Sequence, residues 1–269
     1  MAVLGASGGG HLPQITITTS LNWSPPIDGN VCFHVIGAGS GGYGSTLTDS
    51  NSGAAGGYCK KNSVAVVTTD VFAIAVGVGG AGGNGGAGGA GGNTTVEQTT
   101  GSGLSAVLTA NGGSASGTSA TTGGGTASNG DVNNTGGDGV RNYQGAGGSV
   151  GIYGTGDHGG VSAGNTYHAM GSNCDSAGGG LAMSGYGHIV GGTKGGPSVY
   201  CLTGSGAWGG LDGGDLCGGG SVYSSESTYV YGGHGGIGGG GGSARAVSAH
   251  SSGKGGFGGD GIVLIQYLP

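Results

Sequence analysis

The chain has 269 residues, of which 79 are glycine and 7% are charged, with a formal net charge of −6. Its six Lys and Arg are scattered and give no basic surface for nucleic acid. No apolar run reaches the roughly 18 residues of a membrane span, and no HExxH, CxxC or GK[ST] signature occurs, so no enzyme and no cofactor is read.

In chain order, residues 1–13 form a small-residue arm without the basic and long apolar segments of a signal peptide. Gln14 to Thr19 alternates apolar and polar residues, as a strand does. Trp23 is a large apolar anchor before the stiff Pro25-Pro26 turn. A strand over Val31 to Ile36 runs into Gly37-Ala38-Gly39-Ser40-Gly41-Gly42, which resembles a dinucleotide loop but has no amphipathic helix after it. Gly53 to Gly57 leads to Tyr58, and Val64–Val67 with Val71–Val76 predicts a strand pair around Thr68-Thr69-Asp70. Thr94–Thr99 and Leu104–Thr109 predict a hairpin around Gly101-Ser102-Gly103, and Ile262 to Tyr267 is an apolar closing strand.

Residues 77–92 read GVGGAGGNGGAGGAGG, a period of three. That period fits neither an α-helix nor a strand, but it fits a left-handed helix with three residues per turn. Collagen shares that helix, but with far more proline than the five residues here. Gly79, Gly80, Gly82, Gly83, Gly85, Gly86, Gly88 and Gly89 are then structural, forming bare faces against which neighbours pack. Such a helix has no internal hydrogen bonds, so a buried one must bond across to its neighbours. The pattern returns at 253–261 as GKG, GFG, GDG. The predicted fold is mainly β plus irregular: a small β-sandwich base, an inserted bundle of polyglycine-II helices, and displayed loops.

The expected organisation is an arm and first strand over 1–22, the sandwich with the first glycine helices over 23–110, a glycine bundle with aromatic loops over 111–252, and a last glycine helix and strand over 253–269. Within the third part, glycine clusters alternate with segments holding Tyr143, Tyr153, His158, Tyr167, His168, Tyr186, His188, Tyr200, Trp208, Tyr223, Tyr229, Tyr231 and His234. Tyr and Trp amid Ser, Gly and Asn is also how binding loops are composed. The candidate receptor-binding set is Tyr153, His158, Tyr167, His168, Tyr186, His188, Tyr200 and Trp208. Any one of these tyrosines is as readily explained by packing on a glycine face. Asp157, His158, His168 and His188 lack the fixed spacing of metal ligands and read as loop residues, so no metal site is assigned. Cys32, Cys59, Cys174, Cys201 and Cys217 form no paired pattern and read as buried thiols of a chain made in a reducing cytoplasm.

Several motifs together carry a resemblance. They are Trp23-Ser24-Pro25-Pro26, Val35-Ile36-Gly37-Ala38-Gly39, Gly56-Gly57-Tyr58, Ala75 to Gly80, and Gly258-Gly259-Asp260-Gly261 followed by Ile262 to Tyr267. Their order resembles the glycine-rich domain of bacteriophage tail-fibre and tail-tip proteins. Between residues 92 and 253 only composition is similar to the tip adhesins of T-even-like long tail fibres; a fibre-attachment domain like theirs is not evident. The resemblance implies a non-enzymatic virion protein, a homotrimer in contact with other tail or virion proteins. Its expected place is the tail tip or fibre, where it binds a host cell-surface receptor (an outer-membrane protein or glycan) without membrane insertion. A structural decoration or spike protein is the second reading. An ice-binding protein ranks third, because irregular aromatic inserts interrupt the flat repeat that ice requires.

Overall fold

The structure, a computed structural model, describes residues 3–4, 14–45, 51–118, 121–140, 146–147, 150, 155–156, 208–209, 218–219, 222–224, 229–246 and 252–269. Among the described residues there is no α-helix, and the chain is mainly β, arranged in several sheets. The largest has six antiparallel strands in the order Val3–Leu4, Gln14–Ile17, Ile262–Tyr267, Gly29–Ile36, Tyr58–Val66, Val132–Asn134. A second has five, in the order Ala127–Ser128, Leu108–Ala110, Thr94–Thr100, Val71–Ala75, Leu21–Trp23.

Strand alternation puts every second side chain of each sheet into one shared core. Val31, Phe33, Val35, Val263, Ile265 and Tyr267 come from the first sheet, and Phe72, Ile74, Val96 and Leu108 from the second. Trp23 belongs to that core, with its ring 6.1 Å from Phe33 and 5.4 Å from Phe72. The closing strand lies between Gln14–Ile17 and Gly29–Ile36 and is buried on both faces. Its alternate residues Ile262 and Leu264 pack with Ile36, Tyr58 and Val150 on the sheet's other side. Burial on both faces explains its unbroken apolar run.

One expected pairing is absent. Val64–Val67 and Val71–Val76 do not pair with each other; Tyr58–Val66 belongs to the first sheet and Val71–Ala75 to the second. Asp70 N–H donates to Val67 O at 2.9 Å and Val67 N–H to the Asp70 carboxylate at 3.0 Å, a corner that carries the chain between sheets. Strands facing one core from opposite sides cannot share a hydrogen-bond ladder. The expected hairpin at 94–109 does form, with Leu108–Ala110 as its second strand and Gly101 at a φ of 106° in its turn.

At one end of the two sheets the strands pass into glycine-rich segments: Ile36 into Gly37, Val76 into Gly77, Gly57 into Tyr58, and Gly261 into Ile262. Residues 37–44 sit at the centre of these segments. The N–H groups of Gly37, Ser40 and Tyr43 donate to the carbonyls of Gly57, Ala54 and Asn51. Those of Ala38, Gly41 and Gly44 donate to Gly92, Gly89 and Gly86, and those of Gly39 and Gly42 to Gly259 and Gly256. In the other direction, carbonyls of this segment accept from Gly80 and Gly83, from Gly241 and Ala244, and from Gly113. Five of these sets repeat every third residue, the sixth is the single bond from Gly113, and each addresses a different neighbour, so 37–44 is ringed by six segments. Neighbours in the ring also bond to one another, as in Gly89 N–H to Ala81 O at 2.7 Å and Gly53 N–H to Gly241 O at 2.7 Å.

Glycine is required here for closeness more than for backbone freedom. A Cβ on Gly39, Gly41, Gly42 or Gly44 would stand under 3.0 Å from a backbone carbonyl of an adjacent segment. Only Gly85, Gly101 and Gly238 among the described glycines have positive φ. Gly85, at 69°, marks a feature hidden in the sequence repeat: 77–92 is two antiparallel segments folded back at Asn84-Gly85-Gly86. Gly238, at 67°, turns 232–236 back onto 239–242 in the same way.

Candidate functional site

The glycine region ends, away from the sheets, in a set of chain exits and re-entries. Gly44–Ser45 leads out and Asn51 returns beside it, Tyr43 N–H donating to Asn51 O at 2.9 Å. Ala244–Ala246 runs outward parallel to Gly44–Ser45 and to Val222–Ser224. Tyr229–Tyr231 and Ser252–Lys254 run inward, parallel to each other and to Trp208–Gly209. Ser252 is nine residues before Gly261 at the sheet junction, about 28 Å at the rise of a three-residue helix.

Of the sequence-derived candidates, Tyr153, His158, Tyr167, His168, Tyr186, His188 and Tyr200 lie outside the described residues. Trp208 is placed by its backbone, in the strand Trp208–Gly209 beside Val230 and Tyr231. Tyr229, Tyr231 and His234, grouped in the sequence with the loop aromatics, stand in a strand and a glycine segment. Among the structural glycines, Gly79, Gly80, Gly82, Gly83 and Gly88 face neighbouring backbone too closely for a Cβ. At Gly89 a Cβ would stand 3.1 Å from Ala81 N, while Gly85 and Gly86 have nothing within 4 Å. Those last two are turn positions.

Where a neighbouring segment runs out, a side-chain oxygen replaces the missing carbonyl. Gly79 N–H donates to Asp260 Oδ1 at 2.7 Å, Gly112 to Asn93 Oδ1 at 2.9 Å, Gly124 to Asp138 Oδ1 at 2.8 Å, and Gly88 to Ser116 Oγ at 2.9 Å. These few polar residues close the edges of the hydrogen-bond network; at Gly88, where the bond is buried, an unmet N–H would cost about 1–3 kcal/mol.

A buried polar cluster lies on the outer side of the first sheet. Cys32 and His34 alternate along one strand, with Sγ 3.4 Å from Nε2, and His34 Nδ1 is 2.7 Å from the Tyr58 hydroxyl. Burial first, and the charge of Lys60 second, lower His34 to about 4, so its ring is neutral. Burial pushes the Cys32 thiol up, against a smaller pull from Lys60, and it raises the Tyr58 phenol well above its ordinary value. All three groups are neutral at pH 7, which suits a packed hydrogen-bonded cluster and leaves the thiol without the thiolate character of a nucleophile. Cys59, pushed up to about 11 chiefly by burial, belongs to the shared core. No group of three or more His, Cys, Asp or Glu among the described residues is placed to hold a metal ion, and no described helix is long and apolar enough to cross a membrane.

The glycine region also has a regular side face. Segment 253–261 bonds to 77–83 on one side, through Gly258 N–H to Gly80 O, and to 232–238 on the other, through Gly235 N–H to Phe257 O. Every third residue of these columns points outward: Val78, Ala81 and Asn84, then Lys254, Phe257 and Asp260, then Tyr231 and His234. Val78 is 73% exposed, Phe257 44% and Tyr231 43%. Phe257 packs against His234 with ring centroids 5.2 Å apart and the rings tilted by 36°. Sequence reading missed this face; the signal was the third residue of each triplet, set aside in favour of the glycines.

A family model described as a glycine-rich domain matches residues 15–268, from the second residue of Gln14–Ile17 to the residue after the closing strand. The chain belongs to the glycine-rich domain family. Apart from the edge strand Val3–Leu4 and residue Gln14, the match takes in both sheets and all the glycine segments between them, so strands and glycine region form one family unit. No curated protein matches the chain.

Proposed function

We propose that this glycine-rich domain is a non-enzymatic virion protein, a tail-fibre or tail-tip adhesin that binds a host cell-surface receptor. In this reading the two sheets are a β-sandwich base and the glycine segments are polyglycine-II helices. The three-residue repeat of donors, the six neighbours around 37–44 and the scarcity of positive φ support that backbone assignment. Coupling constants and carbon shifts for Gly39 to Gly42 should give φ near −75° and ψ near +145°, the values of that helix. Extended-strand values would reject it.

The observation that carries the adhesin reading is the set of exits and re-entries at 45/51, 224/229 and 246/252, all at the end away from the sheets. A rigid lattice with chain excursions at one end is a scaffold for recognition segments, because loops on rigid elements can vary without disturbing the core. The test is antibody labelling of intact particles by electron microscopy, with the same antibody used to block adsorption. Label at the tail tip or fibre end with blocked adsorption is expected. Label on the capsid with adsorption unchanged would replace this reading with the decoration protein, which the exposed Val78 and Phe257 on a flat side face favour. The homotrimer implied by the family resemblance is part of the same proposal, and sedimentation of the purified chain decides it.

A further inference from the structure

The side face carries opposite charges at opposite ends of one column. Lys254, Phe257 and Asp260 project from it at three-residue intervals. Asn84 forms a bridge with Lys254, and Asp260 lies beside Gly79, so the flanking column Val78, Ala81, Asn84 runs antiparallel in step with it. The backbone beneath is held on both sides by hydrogen bonds of 2.8–2.9 Å, Gly255 to Gly83 and Gly258 to Gly80 on one side, Gly232 to Lys254 and Gly235 to Phe257 on the other.

We propose that this face docks a second copy of the same chain, related by a two-fold axis running across the columns at the level of Phe257. This is independent of the adhesin reading. Turning the face over about that axis sets Lys254 against the second copy's Asp260, Phe257 against Phe257, and Ala81 against Ala81. The alternative two-fold, along the columns, would set Lys254 on Lys254 and Asp260 on Asp260, and like charges directly opposite repel. Charge order therefore selects a single isologous arrangement. Val78, Tyr231 and Phe257 supply the apolar area and Ala81 allows close approach. Three columns about 4.8 Å apart and about 19 Å long give roughly 270 Å² per copy, the size of a weak, reversible contact.

The test combines sedimentation equilibrium with zero-length carbodiimide crosslinking of mixed unlabelled and ¹⁵N-labelled full chains. With rising concentration the mass should double, from one chain of 24.8 kDa to two or, where the homotrimer forms, from three chains to six. Peptide mapping should find a Lys254–Asp260 crosslink joining light and heavy chains. Within one chain these residues are six positions apart along a column, about 19 Å, too far for a zero-length bond. Lys254→Glu should weaken the dimer at least about tenfold through like-charge repulsion. Val78→Glu, at a position 73% exposed in the single chain, should remove the crosslink without lowering the melting temperature. A mass that does not rise with concentration, an association unaffected by either substitution, or association without the crosslink would each overturn the proposal.

Discussion

Gly41→Ala tests the packing of the glycine region directly, because one methyl group is all that changes. Gly41 N–H donates to Gly89 O at 2.9 Å, and a Cβ there would stand under 3.0 Å from the carbonyl oxygens of both Ala81 and Gly80. Those atoms are backbone and cannot rotate away, so segment 77–83 must move. Moving it lengthens the bonds from Gly80 to Gly39 and from Gly83 to Gly42, both 2.9 Å. Two buried backbone groups losing their partners at about 1–3 kcal/mol each give a loss of about 2–6 kcal/mol, a large part of a domain's usual stability. Gly86 provides the control: its φ is not positive and nothing lies within 4 Å of a Cβ built there. Gly86→Ala should stabilise by about 0.4–1 kcal/mol through the unfolded chain. Gly85→Ala has the same open space but a φ of 69°, and should cost roughly 1–2 kcal/mol through strain alone. Urea unfolding of the three variants beside the wild type measures all of this. If Gly41→Ala falls within about 0.5 kcal/mol of wild type, or matches Gly86→Ala, close backbone packing does not explain these glycines.

Acid should destabilise the chain through His34, whose pKa is lowered from 6.5 to about 4. The unfolded chain then takes up the proton first, so the stability is intact above pH 6.5, declines as pH falls toward about 4, and levels off below. The full effect is about 3 kcal/mol, read as the wild-type loss minus that of His34→Gln in urea melts at several pH values. Equal pH slopes for the two proteins would refute it. Asp260→Ala should cost about 1 kcal/mol by uncapping Gly79 N–H, whereas Asp260→Asn keeps an acceptor and should cost less; thermal melts distinguish them. Trp23→Ala, emptying the site beside Phe33 and Phe72, should cost about 3–5 kcal/mol by chemical denaturation. A freezing-point assay should show no thermal hysteresis, because Lys254, Phe257 and Asp260 break the uniform outward surface that ice binding needs.

Much of the base was legible in the sequence. Alternation marked Gln14–Ile17, the aromatic and β-branched residues marked Gly29–Ile36 and Val71–Ala75, and the closing strand was read nearly to the residue. These signals are local, because a strand with a buried face must carry apolar residues at a period of two. The corner at Val67–Asp70 was not legible as a change of sheet, since a hairpin turn and a corner use similar residues. Asn84-Gly85 was counted into the repeat of three, although Asn-Gly is a turn dipeptide that could have revealed the fold-back. His34, Tyr58 and Cys32 carried no sequence signal of their contact, two of them lying on one strand and the third on its partner.

The sequence by itself determined that glycine recurs at a period of three between apolar strands, and with it that side chains could not provide the core of this region. Only the tertiary structure decided that 37–44 is the central segment, which six segments surround it, and which third residues face outward together. The physical reason is that backbone hydrogen bonds hold these segments, and N–H and C=O groups are the same at every glycine. A triplet GXG states that a close neighbour is needed without stating which one. Side chains such as Asp260, Asn93 and Ser116, placed where the neighbours end, are among the few residues that mark a position in the lattice.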